Sequence, residues 1–462
     1  MPNPPAPTPL TYPLGEHLPT SGQATEVAPG VYWLRMGLPF ALDHINLWLL
    51  RDHLPDPQAP GQGREGWTVV DCGIDNPATR AAWLQVETEV LQGLPVLRVL
   101  VTHMHPDHMG LAHWLCERWQ APLWMGLTEY QAAKLACTQQ SGLGSAPALR
   151  LFAQHGWNRE EDLATVQRHM NHYAEMVPAV PSSLVRLRDG MPLRIGEREW
   201  QCMSGLGHSP EHMALWCEAD RLFISGDMLL PSISSNISVY HQEPESDPLA
   251  WFLQSLAHMQ NTLSDDCLVL PSHGRPFKGV STRVAQLQAH HDERLKELLQ
   301  ACASRACSAH DALTVLFKRA LNQQQMAFAM GESIAHLNAL WHAGKVQRHA
   351  LAAIASVSEM SVLSRTEGEA SAFLLDARSG ELRPAARATG TTVEVKELFF
   401  STPARRKFLK TDATELAHCI EAVRRHALAR PDVGFAIWHE GKLVEQWRAA
   451  TTLDQRLADV LG

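Results

Sequence analysis

Residues 98–108 read Arg98-Val99-Leu100-Val101-Thr102-His103-Met104-His105-Pro106-Asp107-His108. The apolar run predicts a strand, and the polar residues after it predict a loop at the strand's carboxyl end. In an extended segment His103 and His105 point to the same side, because side chains repeat every second residue. Asp107 and His108 follow where a helix begins, and so turn toward the same mouth. Neutral imidazoles with a carboxylate are a donor set for Zn²⁺, and Mn²⁺ or Fe also suits it.

Working outward, four more positions repeat this context. Asp71 follows WTVV, His208 follows WQCMSGLG, Asp227 follows LFISG and His273 follows LVLPS. A lone histidine in such a place is more often core or surface than ligand. Five such places in order reverse that weighting, since a layered α/β site gathers its residues at the ends of several strands. His212, just before the run Met213-Ala-Leu-Trp-Cys217, reads as ordinary packing rather than a further ligand.

Between residues 27 and 279 short apolar runs alternate with helical stretches, which predicts an α/β layered domain. Expected strands are Val31–Met36, Asn46–Leu50, Trp67–Val70, Arg98–Val101, Leu123–Met125, Trp200–Ser204, Met213–Cys217, Leu222–Ser225 and Cys267–Leu270. Expected helices include Pro77–Gln92 and Met109–Trp119. Residues 127–180 form a helix-prone insertion, either a lid over a site or a packed excursion. Residues 280–349 read as three successive helices, a winged-helix-like unit without a clear wing strand.

The chain has 462 residues and no apolar run long enough for an ordinary membrane-spanning helix. Residues 1–26 are proline-rich, lack the regions of a secretory signal, and read as a loose tail. The nine cysteines are scattered without a C-x-x-C pair, so a reducing cytoplasm is the expected location. Of 24 histidines, 21 precede residue 351, and the net charge of −9 belongs to the same part, since residues 351–462 hold 15 basic and 15 acidic side chains. Composition thus puts a seam near residue 350 and argues against a basic nucleic-acid-binding tail.

Residues 25–279 resemble the metallo-β-lactamase fold hydrolases, through H-x-H-x-D-H at 103–108, G-H-S-P-E-H at 207–212, S-G-D at 225–227 and P-S-H-G at 271–274. The resemblance implies an αββα sandwich with two divalent metals, zinc by preference, in the groove between its sheets. It assigns His103, His105 and His208 to one metal and Asp107, His108 and His273 to the other. Asp227 would bridge them, and Asp71 would orient the histidine-bearing loop from behind. Two such cations would lower the pKa of a shared water and polarise the scissile bond, with Asp107 orienting that water and passing on its proton. The helical appendage resembles that of family members acting on single-stranded RNA, thioesters or lactones. The acidic balance of this part disfavours a polyanion. A small ester or thioester substrate is therefore expected, of the hydroxyacylglutathione or lactone kind. A single-stranded RNA endonuclease of the same fold is the alternative. No membrane partner is expected, and edge or insertion surfaces are available for a homodimer.

Residues 351–462 resemble the MutL family of mismatch-repair ATPases, through L-A-A-I-A-S-V-S at 351–358, T-P-A-R-R-K-F at 402–408 and the stretch 427–444. The residues themselves predict a strand at Thr391–Val395 and a helix at Thr411–Arg425, and the resemblance implies an incomplete α+β fragment. Gly390 and Thr391 match the last nucleotide motif of that family, but the catalytic Glu, the magnesium-binding Asn and the remaining phosphate loops have no counterpart. No ATPase activity is expected. A mismatch-repair role through this segment is a second alternative. The junction reads as a gene fusion or an assembly artefact, with residues 351–462 dispensable for the hydrolase.

Overall fold

The computed structural model describes residues 9–55, 63–138, 141–142, 144–157, 160–170, 173–304, 306–319, 321–348, 358–365, 371–376, 382–397 and 411–461. The chain divides into two compact units, Met1–Ala353 and Ile354–Gly462.

In the first unit β1 (Ala24–Ala28), β2 (Val31–Gly37), β3 (His44–Pro55) and β4 (Gly63–Val70) pair antiparallel in sequence order. After α1 (Pro77–Glu89), β5 (Val96–Leu100) joins parallel to β4. Two helices, α2 (Pro106–Met109) and α3 (Ala112–Trp119), lead to β6 (Leu123–Gly126). Four more, α4 (Leu127–Cys137), α5 (Ala146–Gln154), α6 (Glu160–Met170) and α7 (Tyr173–Met176), precede β7 (Val185–Leu187), which completes a seven-stranded sheet. A second sheet meanders through β8 (Pro192–Ile195), β9 (Arg198–Gly205), β10 (His212–Cys217) and β11 (Leu222–Gly226). After α8 (Pro248–Thr262), β12 (Leu268–Pro271) pairs parallel to β11.

Period-two alternation divides each strand between two cores, which makes the layers. Trp33, Trp48, Val70 and Leu100 of the first sheet pack on Trp200, Met213, Leu215 and Ile224 of the second. Leu34, Leu47, Val69 and Val99 face the other way, onto Trp83, Val86, Leu115 and Ala133 of the helices. Ala214, Trp216 and Phe223 pack outward onto Phe252 and Leu256 of α8. The result is an αββα sandwich.

All nine expected strands occur. Three further strands, β1, β7 and β8, are short and carry half-exposed or exposed residues, so no apolar run marks them. The expected helix Met109–Trp119 instead starts at Pro106 and breaks before Ala112, where Leu111 N bonds to the carbonyl of Gly73. The tail is not loose from residue 9 onward. Thr11 pairs with Lys278, the Arg275 guanidinium lies 4.4 Å over the ring of Tyr12, and Leu10 and Tyr12 pack on the core. Residues 1–8 lie outside the described part. The insertion is packed: Phe152, Trp157 and Val166 share a core with Met330 and Ile334.

Three helices, α9 (Val280–Ser304), α10 (Ala309–Leu316) and α11 (Gln323–His342), stand where the winged helix was expected. Capping boxes at Ser308 and Asn322 start the last two. No wing strand follows them among the described residues up to 348. Among the described residues, no helix is long and apolar enough to cross a membrane.

The second unit holds β13 (Glu359–Arg365), β14 (Ala372–Asp376), β15 (Leu382–Ala385) and β16 (Gly390–Lys396) in the order β15-β14-β13-β16. Then come α12 (Asp412–Ala429), N-capped by Thr411, the hairpin of β17 (Phe435–His439) and β18 (Lys442–Trp447), and α13 (Leu453–Leu461). The expected strand and helix are β16 and α12. The motif T-P-A-R-R-K-F and residues 351–357 lie outside the described part.

Candidate metal centre

Five strand ends deliver the side chains. Asp71 follows β4, the His103–His108 loop follows β5, His208 follows β9, Asp227 follows β11 and His273 lies two residues beyond β12. His103, His105, His208 and Asp227 each offer one donor atom, all within 4.8 Å of one another, and so do Asp107, His108 and His273. Asp227 faces both sets. Its Oδ2 lies 3.3 Å from His208 Nε2 and 4.0 Å from His103 Nε2. Its Oδ1 lies 3.4 Å from His273 Nε2 and 3.5 Å from His108 Nε2. Asp107 Oδ2 completes the second set, 3.4 Å from His273 Nε2.

The outward nitrogens of four rings are held. His103 Nδ1 meets Thr102 Oγ1 at 3.0 Å, and His108 Nδ1 meets Asp71 Oδ2 at 2.8 Å. His208 Nδ1 donates to the carbonyl of Asn236 and His273 Nδ1 to that of His44, each at 2.8 Å. Each ring therefore turns its Nε2 inward, in a set tautomer.

This donor set fits divalent cations. His103 Nε2 lies 2.9 Å from His105 Nδ1 and 3.3 Å from His208 Nε2, and one proton cannot serve both approaches. Nitrogens on a tetrahedral ion with bonds of ~2.0–2.1 Å are about 3.3 Å apart. His108 Nε2 and Asp227 Oδ1 are buried without a hydrogen-bond partner. Buried polar atoms are almost always paired, so two unpaired atoms facing one space suit a cation-binding role better than packing.

Charge is divided between the sets. Burial keeps His103 well below the usual histidine range, and burial with the neighbouring His208 brings His105 to about 3. Burial also pulls on His108 and His273. There the carboxylates win: Asp71, Asp107 and Asp227 hold His108 well above its ordinary value, and Asp227 with Asp107 brings His273 to about 10. Asp107 falls to about 2 because His108 and His273 outweigh its burial.

His212 belongs to neither set. Its Nε2 accepts from the Asp227 backbone N at 3.1 Å, so it holds the main chain that carries Asp227. A Cβ on Gly226 would lie 2.1 Å from that nitrogen, which is why a glycine precedes Asp227.

Several residues of the site carry no local signal. Glu129, fully buried at the start of α4, accepts from Met104 N at 2.8 Å, Ser209 Oγ at 2.7 Å and Glu211 N at 2.6 Å. It therefore ties the His103–His108 loop to the loop of His208. Tyr173 donates to the Met104 carbonyl at 2.5 Å. Asn46 donates to the carbonyls of Pro271 and Gly274, on either side of His273. These partners are distant in sequence, and no spacing rule finds them.

Residues 61–257 match the family model of the metallo-beta-lactamase superfamily, and residues 295–353 match that of the metallo-beta-lactamase-like C-terminal domain. The crystal structure of a beta-lactamase domain protein from Burkholderia ambifaria is 47% identical, with a TM-score of 0.67, over 82% of this chain and 98% of that one. A metallo-beta-lactamase family protein from Thermus thermophilus is 28% identical with a TM-score of 0.56, over 70% of this chain and 97% of that one. A stretch of 113 residues is 55% identical to the DNA mismatch repair protein MutL of Ralstonia nicotianae. That match covers 24% of this chain and 18% of the MutL protein, so the chain spans about a fifth of that relative's length.

Proposed function

Because this chain belongs to the metallo-beta-lactamase superfamily, we propose that it is a hydrolase acting on a small ester or thioester, of the hydroxyacylglutathione or lactone kind. His103, His105 and His208 hold one divalent cation, Asp107, His108 and His273 hold the other, and Asp227 stands between them. Zinc suits this mixture of imidazole and carboxylate. Two bound cations supply Lewis acidity and a water acidified toward neutrality. Asp107, whose Oδ2 stands 3.4 Å from His273 Nε2 in the second set, would orient the attacking water and receive its proton. The observation that carries this reading is Asp227, whose two oxygens each face a different histidine pair, with His208, His273 and His108 at 3.3 to 3.5 Å.

The net charge of −9 lies wholly before residue 351, which favours a small substrate over a phosphate backbone. The nine cysteines carry no disulfide, which fits work in a reducing cytoplasm. Activity on a panel of thioesters, lactones and single-stranded RNA, with metal content measured on the same preparation, tests the reading. Two metals and acyl hydrolysis support it. Metal-dependent cleavage of RNA without acyl hydrolysis replaces it with the nuclease reading, and the absence of metal from a folded chain refutes both.

A further inference from the structure

The segment between Asp227 and α8 meets the candidate centre through the Asn236 carbonyl and is hydrogen-bonded to α9 and α11. Arg283 of α9, buried, donates to the carbonyls of Leu230 and Ile233 at 2.5 and 2.8 Å. Ser235 Oγ donates to the carbonyl of Asp227 itself. Val239 N donates to the Gly331 carbonyl at 3.2 Å, and a Cβ on Gly331 would lie 2.6 Å from Ser238 Oγ. Glycine is what lets α11 approach the segment this closely.

A chain of hydrogen bonds with a defined direction reinforces the contact. Burial holds His291 at about 3 and His336 at about 4, so both rings are neutral. His336 Nδ1 donates to the Glu332 carbonyl at 2.9 Å, which leaves its Nε2 to accept from His291 Nδ1 at 3.2 Å. His291 Nε2 then accepts from Ser234 Oγ at 3.2 Å. Two residues on, Asn236 receives Ser238 Oγ on its Oδ1 at 2.7 Å and donates from Nδ2 to Glu332 Oε2 at 3.3 Å. Its backbone carbonyl is the acceptor for His208 Nδ1.

We propose that Asn236 is a positioning residue through which the C-terminal helices set the metal affinity of the centre: Glu332 and Ser238 clamp its side chain, and its carbonyl then fixes the tautomer and plane of His208. The proposal rests on the reading that His208 binds a cation. The helical appendage is accordingly part of the metal centre's support. Partners one layer outside a metal ligand are worth roughly 10- to 100-fold in affinity.

The test uses the full chain, stripped of metal and titrated with Zn²⁺ against a chromophoric chelator, and with Co²⁺ for its visible spectrum. Glu332→Ala and Asn236→Ala are expected to weaken one of two zinc ions about tenfold and to change the cobalt bands. Glu332→Gln, which keeps an oxygen for Asn236 Nδ2, is expected to restore affinity to within about twofold of the unmodified chain. If the alanine variants fail to fold, Ser238→Ala removes one clamp with little change in volume. About threefold weaker zinc is expected there, and unchanged affinity overturns the proposal. Unmodified affinity and spectrum in both folded alanine variants overturn the proposal while leaving the metal reading intact. A starting chain that binds no zinc overturns that reading and the proposal with it.

Discussion

The carboxylate of Asp71 accepts the Nδ1 hydrogen of His108 at 2.8 Å, from a backbone position with φ of 62°. Left-handed backbone is uncommon outside glycine, and Asp and Asn tolerate it best. The same carboxylate accepts from Thr102 N at 2.8 Å. One strained residue thus anchors the first histidine loop and holds Nδ1 of a ring in the second donor set.

Asp71→Asn keeps the left-handed backbone and one acceptor oxygen but removes the charge. It is expected to weaken zinc about 10- to 100-fold, with the ion held by Asp107, His108 and His273 lost first. Stoichiometric titration of the metal-free chain reads this directly, and two zinc ions at unmodified affinity contradict it.

Glu129→Gln places an amide NH₂ among three donors, Met104 N, Ser209 Oγ and Glu211 N. At least one is left unpaired in the interior, at a cost of ~1–3 kcal/mol. The metal-free variant should therefore melt below the unmodified chain. An unchanged melting temperature would show that the two ligand loops do not depend on this carboxylate.

Burial raises Glu332 from 4.5 to about 7, against the pull of Arg294 and Asn236. The unfolded chain releases this proton first, so stability falls as pH rises from the unfolded value toward the folded one. The loss is about 3 kcal/mol at most. Metal-free protein melted at pH 5 and pH 8.5 should show this decline relative to Glu332→Gln, in which the group no longer titrates. Parallel profiles for the two proteins contradict the assignment.

Chelation should lower the melting temperature, because a ligand bound to the folded state alone adds about 2.7 kcal/mol per site at 100 times its Kd. The fall should be reversed by zinc and absent in His103→Ala with Asp227→Ala. A chelator-insensitive melt would argue against resident metal.

A chain ended at Ala353, the limit of the first compact unit, should keep metal stoichiometry and acyl hydrolysis unchanged. A folded but inactive shortened chain would show that residues 354–462 contribute to the hydrolase.

Much of the centre was legible because its residues follow apolar runs at short range. His103, His105, Asp107 and His108 lie within six residues, and a strand followed by a helix start dictates that they share one mouth. Asp71, Asp227 and His273 were found the same way, each just beyond a buried strand. Glu129, Asn46, Asn236 and Glu332 were not, because each acts on residues far along the chain. The short strands β7 and β8 were missed for a related reason: pairing with neighbouring strands defines them, and their own apolar content does not.

The sequence by itself determined the α/β alternation, the set of inward-facing donors and the change of character near residue 350, since these follow from side-chain periodicity and composition. The tertiary structure decided which donors meet. It brought the donors together in the two sets the resemblance implies, gave His212 the backbone N of Asp227 as its partner, and docked residues 9–26. It also brought the helices after β12 against the segment that carries Asn236. Those outcomes depend on distances between residues far apart in the chain, which packing sets and local pattern cannot encode.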